Sequence, residues 1–229
     1  MKRIAVLFEN DECIVLDKPA GLAVQGGEGV GASLDRLLAE DWNPRPLLVH
    51  RLDKDTSGLI LAAKNREAAA KFSAIFAGTS GEASPGEKSG AAGGKGRGIL
   101  KQYLAVCKGR PQEDSGIIRL DLDIRGTMKK SETSFRLRSQ RGDFSLLELE
   151  LGTGRMHQIR RHLAQIKNPV LGDDKYGDFT LNRELRKTMG LRRLLLHSAR
   201  LLIPETLTGF SGGIDVSAAL PEYFLPFVS

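Results

Sequence analysis

The chain has 229 residues, 41% of them hydrophobic and 27% charged, with a formal net charge of +6. That length suits one large domain or two small halves around a shared core, and the composition is that of an ordinary globular protein. No apolar run approaches the roughly 20 residues of a membrane helix.

The amino terminus, MKRIAVLFENDE, turns acidic after one strand length, so it reads as neither a signal peptide nor an anchor. Cys13 and Cys107 each lie in an apolar strand-like run and read as packed thiols, which suits a reducing, cytoplasmic setting. Positive charge alone does not specify nucleic acid. Its distribution says more: Arg155, Arg160, Arg161 and Lys167 fall together, as do Arg183, Arg186, Lys187, Arg192 and Arg193. Grouped cations can follow a phosphate backbone if they share a face, but solvated helix faces give the same pattern.

In chain order, residues 3–8 and 13–17 read as strands joined by the polar turn 9–12, and Lys18-Pro19-Ala20-Gly21 ends the second in a tight turn. Ser33 is a predicted N-cap for a short helix carrying Leu34, Leu37 and Leu38 on one side. Two apolar runs of strand length follow, Leu47-Leu48-Val49 and Leu59 to Ala63. Between them lies a polar connector with His50, Arg51, Asp53, Lys54, Asp55, Thr56 and Ser57. The plain reading is a β-turn. A carboxylate wedged between core strands nevertheless needs an opening and hydrogen-bonding or cationic partners. Asn65 then caps a helix in which Glu67 and Lys71 are four apart and Phe72, Ile75 and Phe76 form the apolar stripe.

Residues 78–98 hold eight glycines and no large apolar side chain. Such a stretch cannot bury enough surface to offset its ordering entropy, so it reads as a flexible surface insertion. Its string GEASPGEKS is not a phosphate loop, because Glu stands where the Gly-Lys is needed and no apolar strand precedes it. Strand patterns resume at 101–107, 116–124, 132–138 and 144–151. Two of them alternate cleanly: Thr133, Phe135 and Leu137 oppose Ser134, Arg136 and Arg138, and Leu147, Leu149 and Leu151 oppose Glu148 and Glu150. After Gly152-Thr153-Gly154 the period changes. Met156, Ile159, Leu163 and Ile166 predict a helix ending near Asn168-Pro169. A basic stretch at 181–193, a strand at 194–203 and a Pro-containing tail complete the chain. Strands in series with few helices indicate an α+β fold with a mainly antiparallel sheet.

Outside the connector, the densest constellation is TGRMHQIRRHLA at 153–164. On a helix His157 and Arg160 share a face, while Arg161 and His162 turn away. His157 and His162 are poorly spaced for one metal, and HExxH, CxxC and clustered carboxylates are absent, so no metal site is expected. There is also no GxSxG elbow, and no GxGxxG follows a strand.

HRLDKDTSG, at 50–58, resembles the signature of the RluA-type RNA pseudouridine synthases. DKPAGLAV (17–24), KQYLAVCKG (101–109), HQIRRHL (157–163), NPVLGDDKYG (168–177) and LLHSARLLIP (195–204) resemble further motifs, in that family's order. His50 and Thr56-Ser57-Gly58 favour this branch over a related one that has RLD alone. The resemblance implies a bent, mainly antiparallel sheet in two halves flanked by helices, with the active site in a central cleft. It implies isomerisation of uridine to pseudouridine in structured ribosomal or transfer RNA, without metal or organic cofactor. Asp53 is then the catalytic residue, and Arg160 its ion-pair partner, keeping the carboxylate charged. Arg51 fills the space a flipped base leaves and contacts phosphate. Tyr103 offers the base an aromatic face, and Ile159 and Leu196 wall the pocket.

The chain starts at the first motif, so one catalytic domain over 1–229 is expected, without the amino-terminal RNA-binding module of some relatives. The expected partner is RNA, with no membrane association, and the expected state is a monomer. A noncatalytic RNA-binding protein on the same fold is the rival reading. It would not require Asp53, Tyr103 and Arg160 together. The zinc deaminases are excluded by the missing ligand spacing.

Overall fold

The computed structural model describes residues 4–27, 31–78, 98–124 and 126–228. Nearly all of the Gly-rich stretch read above as an insertion, residues 79–97, lies outside the described residues. Strands β1 (Ala5–Glu9) and β2 (Cys13–Lys18) form an antiparallel hairpin. Asn10 sets its turn by accepting the backbone N–H of Glu12 and Cys13 at 3.0 and 2.8 Å. Helix α1 (Leu34–Asp41) begins at Ser33, whose hydroxyl accepts from the Arg36 amide. Strands β3 (Leu47–Leu48) and β4 (Ser57–Ala63) bracket the polar connector. Helix α2 (Arg66–Gly78) is capped by the Asn65 side chain, which accepts the Ala68 amide at 2.8 Å.

The second half opens with β5 (Leu100–Lys108), β6 (Ser115–Arg119), β7 (Leu122–Ile124), β8 (Thr127–Lys129), β9 (Glu132–Arg141) and β10 (Phe144–Leu151). It continues with α3 (Gln158–Gln165), α4 (Phe179–Thr188), β11 (Leu196–Ile203), α5 (Glu205–Thr208) and β12 (Ile214–Ser217), and ends in a 3₁₀ turn (Glu222–Phe224) and α6 (Leu225–Val228). Ten strands share one sheet in the order β1-β2-β4-β11-β5-β10-β9-β6, with β3 beside β4 and β12 beside β11. Every pairing in it is antiparallel except β4 with β11, a short parallel contact of His197 with Ser57 and Ser198 with Gly58. That contact joins the two halves of the chain.

Why β2 and β4 are apolar throughout is plain from the packing. Ile14, Leu16, Ile60 and Ala62 face one core, with Tyr103, Leu149 and Leu163, while Cys13, Val15, Leu59 and Leu61 face another, with Phe72 of α2 and Ile214. A strand covered on both faces loses its alternation. A third cluster gathers Val106, Leu185 of α4, Leu195 and Phe224.

Two elements differ from the sequence pattern. The strand expected over 116–124 is split: β6 pairs with β9, whereas β7 turns back onto β8 in a separate hairpin. Asp123 Oδ1 accepts the amide of Gly126, whose φ of +79° permits that turn. The helix expected from Met156 starts only at Gln158. His157 has φ +52°, and Met156 is 48% exposed instead of packed in the stripe. The buried Gln158 side chain holds the preceding loop in place of helical bonds. Its oxygen accepts from Thr153 Oγ1 and the Arg155 amide, and its nitrogen donates to the Glu132 carbonyl and Thr133 Oγ1.

Candidate active site

The connector from β3 to β4 is held from both ends. Leu52 is buried in the first core, and the Asp53 carbonyl accepts the Thr56 amide at 3.2 Å, closing a turn through Lys54 and Asp55. Lys18, fully buried at the end of β2, latches the turn. Its ammonium donates to the carbonyls of Pro19, Leu22 and Lys54 at 2.9–3.0 Å, and the Gly21 amide also reaches Lys54 O. Burial pulls the Lys18 ammonium down to about 8, against the pull of Asp55, Asp53 and Asp17. DKPAG and HRLDKD are thus one structural unit.

Asp53, with its side chain 19% exposed, opens into a cavity of about 450 Å³. Arg51, Lys54, Arg160 and Lys175 line it, together with His157 and the carboxylates of Asp55 and Asp174. His157 Nε2 lies 3.8 Å from Asp53 Oδ1, too far for a direct hydrogen bond. The left-handed backbone at His157 aims the ring, whose Nδ1 meets Tyr176 Oη at 3.1 Å. Burial depresses the His157 imidazole despite Asp53, and Arg160 and Lys175 lower it further.

Arg160 lines the same cavity, but its hydrogen bonds go elsewhere. Nε and Nη2 grip the two oxygens of Asp173 at 2.7 Å each, and Nη2 reaches Asp174 at 3.0 Å. Burial weighs against the charged guanidinium, and the Asp173 bonds with the Asp173, Asp53 and Asp174 charges more than restore it. Burial also works against the Asp173 carboxylate. The Arg160 fork and the Tyr176 and Lys175 amides outweigh it and hold Asp173 below the usual carboxylate range. The direct Asp53–Arg160 ion pair expected from the sequence is therefore absent. Arg160 acts on Asp53 only through its field.

Behind the connector, Tyr103, Ile159 and Leu196 share an apolar cluster with Leu52. Tyr103 (β5) pairs with Ser198 (β11); burial pushes its hydroxyl up to about 12, against the pull of the Ser198 side chain. Only 8% of Tyr103 is exposed, so the aromatic face expected for a base is nearly covered. Below it, Ser57 Oγ meets His197 Nδ1 at 2.9 Å and Tyr223 Oη at 2.8 Å, tying the C-terminal 3₁₀ turn to β4.

A family model described as RNA pseudouridylate synthase matches residues 12–165, two thirds of the sequence. This chain belongs to the RNA pseudouridylate synthase family. It is 32% identical to ribosomal large subunit pseudouridine synthase C of Rickettsia typhi, over 96% of this chain and 69% of that one. It is 35% identical to ribosomal large subunit pseudouridine synthase D of Xanthomonas campestris, over 95% and 66%. The solved structure of human RNA pseudouridylate synthase domain containing 4 superposes with a TM-score of 0.74 at 22% identity, over 97% of this chain and 90% of that chain. A pseudouridylate synthase is an isomerase that turns uridine in RNA into pseudouridine, which accounts for a site built of polar groups and cations. Among the described residues, no three His, Cys, Asp or Glu side chains gather as a metal site requires.

Of the residues singled out in the sequence, Asp53, Arg51 and Arg160 line this cavity, while Tyr103, Ile159 and Leu196 lie in the apolar layer that carries Leu52. His157, Lys175 and Asp174 also line the cavity and were not assigned there by sequence. The available signal was their position inside the matched strings HQIRRHL and NPVLGDDKYG. A helical wheel misplaces His157, because it is not in the helix.

Proposed function

We propose that this synthase acts on a uridine of large-subunit ribosomal RNA, the substrate named for the relatives it matches. The nucleotide swings out of its stack, which costs a few kcal/mol, and enters the cavity beside Asp53. Arg51, exposed at the cavity, takes up the vacated space and meets phosphate. The Asp53 carboxylate engages the ribose or the base, the bond from N1 to C1′ breaks, and the base turns. C5 then bonds C1′, its proton leaves to solvent, and N1 takes up a proton. Tyr103 stacks on the turned uracil. Ile159 and Leu196 keep water from a sugar that has lost its base.

The observation that carries this reading is the placement of Asp53. It is a half-buried carboxylate on a turn latched by Lys18, facing a cavity lined by four formal cations and large enough for a nucleotide. The test uses large-subunit ribosomal RNA labelled with tritium at uridine C5 and taken from cells lacking the protein. The wild-type protein should release tritium. Asp53→Asn should release none while binding the RNA within several-fold of wild type. Turnover by the Asn variant would refute the assignment of Asp53.

A further inference from the structure

Helix α4 carries a stripe in which Asn182 serves the fold, accepting the Gly172 amide and donating to the Asp173 carbonyl, while its arginines do not. Phe179, Asn182, Arg183 and Arg186 stand at i, i+3, i+4 and i+7, and so share one side. The other side, with Leu181 and Leu185, packs into the third core. The stripe lines a groove of about 200 Å³ together with Arg192 and Arg193. Asp174 lines both this groove and the Asp53 cavity, so the two are adjacent.

Three features set the groove apart from a solvated helix face. Arg183, Arg186 and Arg192 are all exposed, and among the described residues none has a hydrogen-bond or ion-pair partner. Three exposed guanidinium groups on one concavity make a positive field that favours an anion there. Of the two carboxylates that line it, Asp173 is buried and gripped by Arg160, and Asp174, its side chain 81% exposed, meets Arg160 at 3.0 Å. Arginine also presents a planar fork that matches phosphate oxygens. Finally, Phe179 is 55% exposed at the head of the stripe, an apolar ring beside cations. Cations that track a backbone, with an aromatic ring for a base, make a single-strand nucleic acid site.

We infer that the α4 groove binds the unpaired RNA strand that flanks the target uridine, Arg183, Arg186 and Arg192 holding its phosphates and Phe179 stacking a neighbouring base. The inference rests on the reading of the Asp53 cavity as the uridine site, since the strand leaving that cavity past Asp174 enters this groove. It assigns the second basic cluster of the sequence a substrate-positioning role rather than a solvated one.

The experiment measures binding of the unmodified large-subunit ribosomal RNA at several salt concentrations, with single-turnover tritium release on the same RNA. Arg183→Glu/Arg186→Glu should weaken binding at least tenfold and reduce the salt slope by roughly 0.7 for each phosphate no longer neutralised. The rate at saturating protein should stay within about twofold, which separates this groove from the catalytic cavity. Arg183→Lys/Arg186→Lys keeps the charge and should retain most of the slope. Phe179→Ala should weaken binding roughly tenfold, and Phe179→Trp should restore it. Arg110→Glu/Arg119→Glu makes the same change in net charge on and beside β6 and should have little effect; melting temperatures confirm folding. If wild type releases tritium but the groove variants bind with unchanged affinity and slope, the inference is overturned. If the groove variants weaken binding but wild type releases no tritium, the groove stands and the uridine reading fails.

Discussion

Gly58 shows how one atom can decide a site. Its φ is +101°, and a Cβ there would lie 2.2 Å from the Ser198 carbonyl oxygen, inside the parallel contact of β4 with β11. Gly58→Ala combines a strained backbone with a main-chain clash, so it should cost ~3 kcal/mol or more, measured by urea unfolding. Tyr103 poses the opposite question, because its ring is nearly covered. If the ring stacks the base, Tyr103→Phe keeps the essential surface and should retain more activity than Tyr103→Ala in the tritium assay. Equal losses would remove the stacking role. The string TSG marks the need for a glycine without revealing what it touches, since Ser198 lies 140 residues away. The partners of Arg160 are hidden for a related reason. Asp173 and Asp174 come from a loop thirteen and fourteen residues on, and an interaction of a helix with a loop has no period to betray it.

The elements that are legible in the sequence are those whose local chemistry and tertiary use agree. Ser33 and Asn65 cap α1 and α2 as the sequence indicates, and β9 and β10 alternate as a half-covered hairpin should. Legibility fails where side chains replace backbone bonds. At α3 the apolar spacing runs on through Met156, but Gln158 satisfies the upstream loop and His157 turns left-handed. The turn that carries Asp53 depends on another such side chain. Lys18→Met removes the ammonium that three carbonyls share; Lys54 O keeps the Gly21 amide, but losing the bonds to Pro19 and Leu22 should destabilise the protein by about 2–3 kcal/mol. Because one carbonyl belongs to Lys54, the variant should lose more single-turnover rate than a core variant of equal stability, such as a truncation at Phe72. Equal rates in the two would show that the latch stabilises without positioning.

At the scale of the whole molecule, the sheet gathers its two halves at β4 and β11, and the seam carries a buried histidine. His197 is fully buried, and among the described residues its Nε2 has no hydrogen-bond partner. Burial holds this imidazole down to about 4, against the Ala218 and Ala219 carbonyls. The unfolded chain binds that proton more tightly, so the stability this neutral ring contributes is complete above pH 6.5 and is lost as pH falls toward 4. The loss amounts to roughly 3 kcal/mol at 1.4 kcal/mol per unit. His197→Asn, which can keep the bond to Ser57, should flatten urea midpoints over that range; an unchanged pH profile would place the acid sensitivity elsewhere. The α+β class and the site motifs are readable from strand order and strings. The order of the ten strands is not, because long-range pairing leaves no mark in the sequence of either strand.

The most direct test maps pseudouridines in the large-subunit ribosomal RNA of cells that lack the protein and of cells given back either the wild-type chain or Asp53→Asn. The account predicts at least one pseudouridine missing from the first, restored by the wild type and not by the Asn variant. An identical map in all three, or restoration by Asp53→Asn, would contradict it.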